Sequence, residues 1–576
     1  MSKKRVVILG GGIGGLSAAH ELARDFEVHV YEADRHLGGK ARSQFKAGTG
    51  AGHRRDLPGE HGFRFFPAFY QHVIDTMRRT PRPGGGTIAD NLVGCMEMAI
   101  VEQDRGPQVL PRRRPENIGD FFRVVDAVES FFAGSDVCPT DIALFGSKML
   151  AFMCSSDERR LGELERMSFW DFVDGPRYTP RFQSYINSSR FMVAMDAKRG
   201  SARTIASKAL QILLDFQRPA GANDRVLNGP TTLQWLDPWE QHLRGLGVTF
   251  HLEKRLIGLD FDGGRIRGAR FEGSPGAVTA DYFILALPLE RAGACIDDAM
   301  IAADPALGRL RDATDMTAWM SGAQFYLRRD VPICNGHVAY ADSPWALSSI
   351  SQAQFWTPAA GPFSERYGDG QIHGVLSVDV CVWDQPGRFT AKTAAECTSA
   401  EEVLAEIWRQ LQASLNGKGE VLRDEDRADW RLDDNIEFGP GGARNHTPLL
   451  VHPPGSWFRR PRAETQIHNL MLASDYVQTT TDLATMEGAN EAARMAANAI
   501  FAREGLAAKA ALFPVEEATG PLVKLAKKLD AQAWQRRDDR ILELLSFSTP
   551  LEPTLEEAKA EQDQMEERLR RIAAQP

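Results

Sequence analysis

Four apolar residues, Val6-Val7-Ile8-Leu9, run directly into Gly10, Gly12 and Gly15 in a G-x-G-x-x-G spacing. An alanine-rich segment, Leu16 to Arg24, follows, and then a second short run, Phe26 to Tyr31, that ends on Glu32. The first run is too short and too soon broken by glycine for a signal sequence, and it reads as a strand buried on both faces. Each later part has a mechanical reason. Gly10 permits a tight turn, Gly12 lets backbone approach a pyrophosphate, and Gly15 lets helix and strand pack closely. The helix N-terminus offers free N–H groups and partial positive charge to the phosphates, and Glu32 stands where a carboxylate accepts ribose hydroxyls. This strand–helix–strand–acid order predicts a dinucleotide-binding α/β unit. The next stretch, Arg35 to Arg42, sets Gly38, Gly39, Lys40 and Arg42 close behind the acid, where a basic loop can fold back over the phosphates and pair their charge.

A second segment fits the same ligand. Ile467 to Tyr476 reads as a short apolar strand that ends in Asp475, and Leu483 to Arg494 as a helix start at Met486 followed by small residues. Asp475 can accept bonds from a ribityl chain, and a helix beginning at Met486 can aim N–H groups at the pyrimidine end of a flavin. Between these segments a strand near Leu256 can meet an adenine through backbone groups. A hairpin with an Asp262-Gly263 turn follows it, and Asp281 to Pro288 reads as another buried strand.

The net charge of −9 argues against a nucleic-acid partner, which calls for a basic face. The seven cysteines are scattered and contain no C-x-x-C, so neither a disulfide framework nor a zinc site is expected, no metal is expected, and a reducing cytoplasm suits the chain. No apolar run reaches the roughly 18 residues of a membrane span.

Together these residues resemble the flavin-containing amine oxidase and phytoene desaturase superfamily, and most closely the plant-type carotenoid desaturases and hydroxysqualene dehydroxylases. The likeness is carried by Glu32-Ala33 with Gly38-Gly39-Lys40, by Glu60 to Tyr70 with Arg64 and Phe65 beside the flavin, by Leu227 to Pro238, and by Ala473 to Tyr476 with Leu483 to Ala489. It implies FAD as the cofactor. It also implies an α/β fold in which a Rossmann-type FAD-binding domain (residues 1–105, 225–300 and 456–505) carries an inserted mixed-sheet and helical substrate domain (106–224 and 301–455). The cofactor-binding residues expected are Gly10, Gly12, Gly15, Glu32, Ala33, Gly39, Lys40, Arg42, Arg64, Phe65, Leu256, Asp475 and Met486, and no catalytic residue is named. The reaction implied is removal of hydride from a C–H bond of a small lipophilic, isoprenoid-like substrate to form a double bond.

The alternative is amine oxidation at a C–N bond, for which Trp356, Trp383 and Tyr326 are available as aromatic walls. Thr485 stands where amine oxidases usually place an aromatic residue. A third reading is a flavin-binding scaffold whose working part is its tail. His61, His72 and His468 lie near the expected cofactor segments, where a general base is conceivable, although a lone histidine is more often structural. Residues 506–576 are expected to form a helical C-terminal extension. In it Leu522 to Leu529 alternates leucine with lysine at helical spacing, and Thr554 to Arg571 runs from acids to arginines. The first pattern suits a membrane surface or a packed helix with a solvated lysine face, and the second a solvated face or an oligomer contact. The expected partners are therefore a small-molecule substrate, a peripheral membrane surface, and a second copy of the chain through the extension. The expected location is cytoplasmic or membrane-peripheral. Removal of 506–576 is expected to leave the flavin site formed.

Overall fold

A computed structural model of the chain describes residues 3–103, 105–112, 138–191, 193–215, 224–313, 315–356, 361–515, 517 and 520–537. Arg5–Leu9 is the middle strand of a five-stranded sheet. It pairs in parallel with Glu27–Tyr31 on one side and Tyr282–Leu285 on the other, and Thr249–His251 and Leu470–Leu472 complete the edges, also in parallel. The chain cannot join parallel neighbours by tight turns. Here the crossovers are long enough to carry whole substructures, which is how strands from three distant stretches meet.

The sheet is dry because both faces are covered. Val6, Val7 and Ile8 are fully buried, as are Phe283, Ile284 and Leu285. The helix Ile13–Leu22 crosses it and packs against the long helix Met486–Arg503. The contact is built on Ala18, Ala19, Ala492, Ala493, Ala496 and Ala497, all fully buried, since small side chains let two helices come close. Asn490 Nδ2 donates to Ser17 Oγ at 2.9 Å across that contact.

The hairpin Leu256–Asp262/Arg265–Phe271 turns through Gly263 and Gly264, at φ +58° and +79°. The turn pair is thus Gly-Gly rather than the Asp-Gly read from the sequence; both central positions need positive φ, which glycine supplies without strain.

A second, seven-stranded sheet runs in the order Arg427–Leu432, Ser321–Leu327, Gly374–Val380, Leu347–Ser351, Gly336–Tyr340, Glu97–Glu102, Gly106–Pro111. All its pairings are antiparallel except Gly336–Tyr340 with Glu97–Glu102. The hairpin Glu97–Pro111 straddles residue 105 and joins this sheet. Helices between 139 and 215 pack around Phe152, Phe169, Phe172 and Ile205.

The C-terminal extension is tied down. Arg494 Nη1 donates to the Ala511 carbonyl at 2.9 Å, and the Phe513 N–H donates to His72 Nε2 at 3.0 Å. The helix Pro521–Gln535 buries Asp530, which accepts from Arg159 Nε at 2.9 Å and from the Ser156 N–H at 2.8 Å. Leu522 and Leu525 stay 81% and 54% exposed. Removal of 506–576 would therefore take Asp530 from Arg159 and the Ala511 carbonyl from Arg494. The charged stretch Thr554 to Arg571 lies outside the described residues.

Candidate functional site

The two helices that meet on the parallel sheet also share an opening. The helix Ile13–Leu22 starts at Gly12 with no side-chain cap and no acid in its first turn. The helix Met486–Arg503 is capped by Thr485, whose Oγ accepts the Gly488 N–H at 3.2 Å. Gly12, Ile13, Gly14, Thr485 and Met486 all line one cavity of about 1070 Å³. Two helix N-termini therefore present partial positive charge to the same space.

The first turn is shaped by contacts that only glycine allows. Gly10 sits at φ +112°, where a β-carbon would come within 2.7 Å of the Ala286 carbonyl oxygen. At Gly12 a β-carbon would meet only Gly39 Cα, at 4.0 Å, so this face of the turn is open to a ligand. The loop after Glu32 lies back on the turn, with the Gly38 N–H donating to the Gly11 carbonyl at 2.8 Å. Glu32 accepts the Gly11 N–H at 2.7 Å and the Asp34 N–H at 2.9 Å, and burial pushes its carboxyl up. Arg42 pairs with Asp34 at 2.7 Å. Lys40 donates to the Pro448 carbonyl and stands 3.8 Å from Glu290. Arg64 donates to the Lys40 carbonyl at 2.7 Å, while its Nε is buried without a partner. Phe65 meets the edge of His337 at 4.2 Å between ring centres.

Of the thirteen residues expected at the cofactor, Gly10, Gly12, Glu32, Ala33, Gly39, Lys40, Arg42, Arg64, Phe65, Leu256, Asp475 and Met486 line the cavity. Gly15 lies behind it, and its Cα faces the Gly10 carbonyl. An open glycine turn beneath an uncapped helix, a carboxylate at the second strand end, and a further acid and helix start on the opposite lip fit an FAD laid along the strand ends. The residues that would hold it are those of the two helix starts with Glu32 and Asp475, and the chemistry it supplies when bound is acceptance of a hydride.

Beyond that end the cavity continues between the helices and the seven-stranded sheet, past Phe145, Phe169, Ile186, Phe191, Ile205 and Ile212. Trp356, Trp383 and Tyr326 are buried elsewhere and do not line it: Trp383 packs in one apolar core of the seven-stranded sheet, and Tyr326 and Trp356 pack in another with Phe363. Its polar points were not evident from the sequence. Asp379 is buried with Oδ1 unpartnered, and burial pushes its carboxyl up to about 7. Burial pushes the His337 ring down to about 4. Arg112 pairs with Asp224 at 2.6 Å in the same wall. Of the three histidines weighed, only His61 faces the cavity. His72 Nδ1 bonds Glu487 at 2.7 Å, and His468 lies by Tyr282, off the site.

Residues 8–80 match the family described as NAD(P)-binding Rossmann-like domain, and residues 225–501 match Flavin containing amine oxidoreductase. Two curated proteins are similar over short stretches. The 4,4'-diaponeurosporene oxygenase of Staphylococcus haemolyticus is 45% identical over 51 residues, 9% of this chain and 10% of that protein. The carotenoid phi-ring synthase of Chlorobaculum tepidum is 44% identical over 69 residues, 12% of this chain and 10% of that protein. The matched stretches thus span about a tenth of the length of each. Among solved structures, cyclohexylamine oxidase from Brevibacterium oxydans aligns with a TM-score of 0.58 at 13% identity over 87% of this chain and 100% of that one. Putrescine oxidase bound to putrescine aligns with a TM-score of 0.57 at 15% identity over 87% and 99%. These likenesses are of fold.

Proposed function

We propose that this member of the flavin-containing amine oxidoreductase superfamily uses its FAD to remove hydride from a C–H bond of a lipophilic, isoprenoid-like substrate, so that a double bond forms. The observation that carries the reading is the continuity of the cavity. One space runs from the glycine turn to a wall of Phe145, Phe169, Ile186, Phe191, Ile205 and Ile212, which suits a long apolar chain laid up to a flavin. The carotenoid names of the two curated relatives support it. The thirteen residues expected from the sequence are proposed as the cofactor contacts, with Gly15 acting through helix packing. The FAD-binding domain is proposed as the segments around the parallel sheet, with the first crossing before Glu97, and the substrate domain as the rest up to the extension.

A membrane surface is proposed as the route of entry. Ile142 and Leu150 are 40% and 46% exposed on the helix Pro139–Cys154 that also carries Phe145. The helix packed on it exposes Leu522 and Leu525 beside Lys524 and Lys528. Apolar residues rimmed by lysine suit an anionic interface, and among the described residues no helix is long and apolar enough to cross a membrane.

The second reading, oxidation of an amine, draws on Asp379, a buried carboxyl on the cavity wall that can face an ammonium group. Anaerobic mixing of the yellow protein with squalene, phytoene or a primary alkylamine separates the two. The isoprenoids are expected to bleach the flavin and to return a product lighter by two hydrogens. Bleaching by the amine alone would reverse the assignment.

A further inference from the structure

His61 follows the strand Leu57–Glu60 and enters a clamp. Its carbonyl accepts the Gly322 N–H at 2.6 Å, and a β-carbon on Gly62 would come within 2.9 Å of Asp379 Oδ1. The loop is therefore gripped between two strands of the seven-stranded sheet. The imidazole is 6% exposed, and its Nδ1 bonds Asp433. Asp433 also accepts from Gln44 Nε2 at 2.9 Å, the Asn435 N–H at 3.0 Å and Asn435 Nδ2 at 2.8 Å. Burial alone would raise the Asp433 carboxyl, but the His61 ring and these donors outweigh it and hold it well below the usual carboxylate range.

A carboxylate has no proton to give, so the proton of the pair sits on His61 Nδ1. In its neutral form the ring then carries its lone pair on Nε2. That atom is buried with no hydrogen-bond partner, and His61 lines the cavity next to Gly62, which faces Asp379. The other ionisable groups around the clamp are Asp379 across Gly62, Arg64 and Glu60 on the same segment, and Arg431 near Gly59. None of them bonds Nε2. An oriented acceptor of this kind, left unsatisfied in a wall that is otherwise largely apolar, points to a proton taken from whatever fills the cavity.

We propose that His61 is the proton acceptor of the reaction and that Asp433 is its positioning residue, an inference that rests on the dehydrogenation reading above. One carbon gives up its hydrogen as hydride to the bound flavin. The adjacent carbon loses its proton to His61 Nε2, and the electron pair of that second C–H bond becomes the new π bond. The imidazolium formed is stabilised by Asp433, and both electrons removed from the substrate reside on the flavin.

The test uses the full-length FAD-loaded protein, with squalene and phytoene dispersed in detergent as probes. His61→Gln is expected to bleach its flavin slower by roughly 10²- to 10⁴-fold, with FAD content, reduction by dithionite and probe affinity unchanged. Asp433→Asn is expected to slow bleaching in the same direction. In spectra of protein carrying ¹⁵N-labelled histidine rings, it is also expected to abolish the Nδ1–H tautomer of His61, a change that a merely structural partner would not produce. If His61→Gln loses FAD, His61→Ala carries the test, with added imidazole expected to restore bleaching. A histidine variant that bleaches at the wild-type rate overturns the inference and leaves the function standing. Wild-type protein that neither isoprenoid bleaches overturns the function and the inference with it.

Discussion

A β-carbon on Gly15 would overlap the carbonyl oxygen of Gly10, so the helix Ile13–Leu22 lies against the end of the strand Arg5–Leu9 at backbone distance. The carbonyl belongs to main chain and the position of a β-carbon is fixed by its own backbone, so neither can swing aside. Gly15→Ala must therefore push the helix off the turn, at a cost of about 1–3 kcal/mol or more. The expected product has lost most of its flavin and melts several degrees lower. A wild-type flavin-to-protein ratio in the purified variant would show that the turn tolerates the shift.

Glu32→Ala is expected to weaken FAD binding by roughly 1–3 kcal/mol, through loss of charge-assisted hydrogen bonds. The carboxylate also braces Gly11 and Asp34, so Glu32→Gln should recover part of the loss. Titration of apoprotein with FAD, followed by flavin fluorescence, gives both affinities.

The flavin is expected to be non-covalent. Neither Cys nor His stands in a recognised attachment context, and the cavity-lining histidines are His36, His61, His337 and His446. Acid precipitation should release all the colour into the supernatant, and a yellow pellet would contradict this.

The buried groups of the cavity wall give a pH dependence with opposing parts. Burial pushes the Asp379 carboxyl up to about 7 from its ordinary value of about 3.8. Between those limits the folded state holds the extra proton, so its contribution falls as pH rises, by at most on the order of 4 kcal/mol. His337 titrates near 4 when folded against 6.5. Below 6.5 the unfolded state holds the extra proton, and its contribution falls as pH drops. The two nearly offset each other in the wild type. Asp379→Asn removes one of them, so its urea midpoint should rise relative to wild type between pH 5 and 8. A constant difference across that range would refute the assignment.

Cutting after residue 537 is expected to leave a flavin-loaded protein, whereas cutting after 505 removes Asp530 from Arg159 and the strap from Arg494. Arg159 keeps Glu163 and Arg494 keeps Asp75, but each loses a buried charged hydrogen bond worth about 1–3 kcal/mol, and the shorter protein should melt at a lower temperature. Vesicle flotation of the longer one, with and without Leu522→Ser and Leu525→Ser, tests the proposed entry surface; equal flotation would remove it.

The parts legible in the sequence were those whose reasons are local. The Gly10–Gly15 spacing, Glu32 at a strand end and Thr485 before a helix each satisfy a neighbour within a few residues. The parts that were not depend on pairing across the chain. Leu376-Ser377-Val378-Asp379-Val380 alternates in the sequence, which reads as a strand with one solvated face, yet every position is buried, so the sequence gives no sign that Asp379 faces a cavity rather than water. His61 was visible as a lone histidine; what gives it direction is Asp433, 372 residues later. The extension's lysine–leucine spacing lies on the helix Pro521–Gln535, but Asp530, the residue that anchors it, is one acid among many.

The parallel sheet has a consequence for how the protein is made. Of the strands in this sheet the central one is made first, while an edge strand, Leu470–Leu472, follows about 460 residues later. At ordinary synthesis rates this leaves Val6 to Leu9 without a completed sheet for on the order of half a minute to a minute and a half. During that interval a run of fully apolar residues is exposed beside a glycine turn that cannot yet grip its ligand. Cofactor capture thus waits until Leu470–Leu472 and the helix Met486–Arg503 have been made, and the yield of coloured protein should depend on chaperone supply and growth temperature.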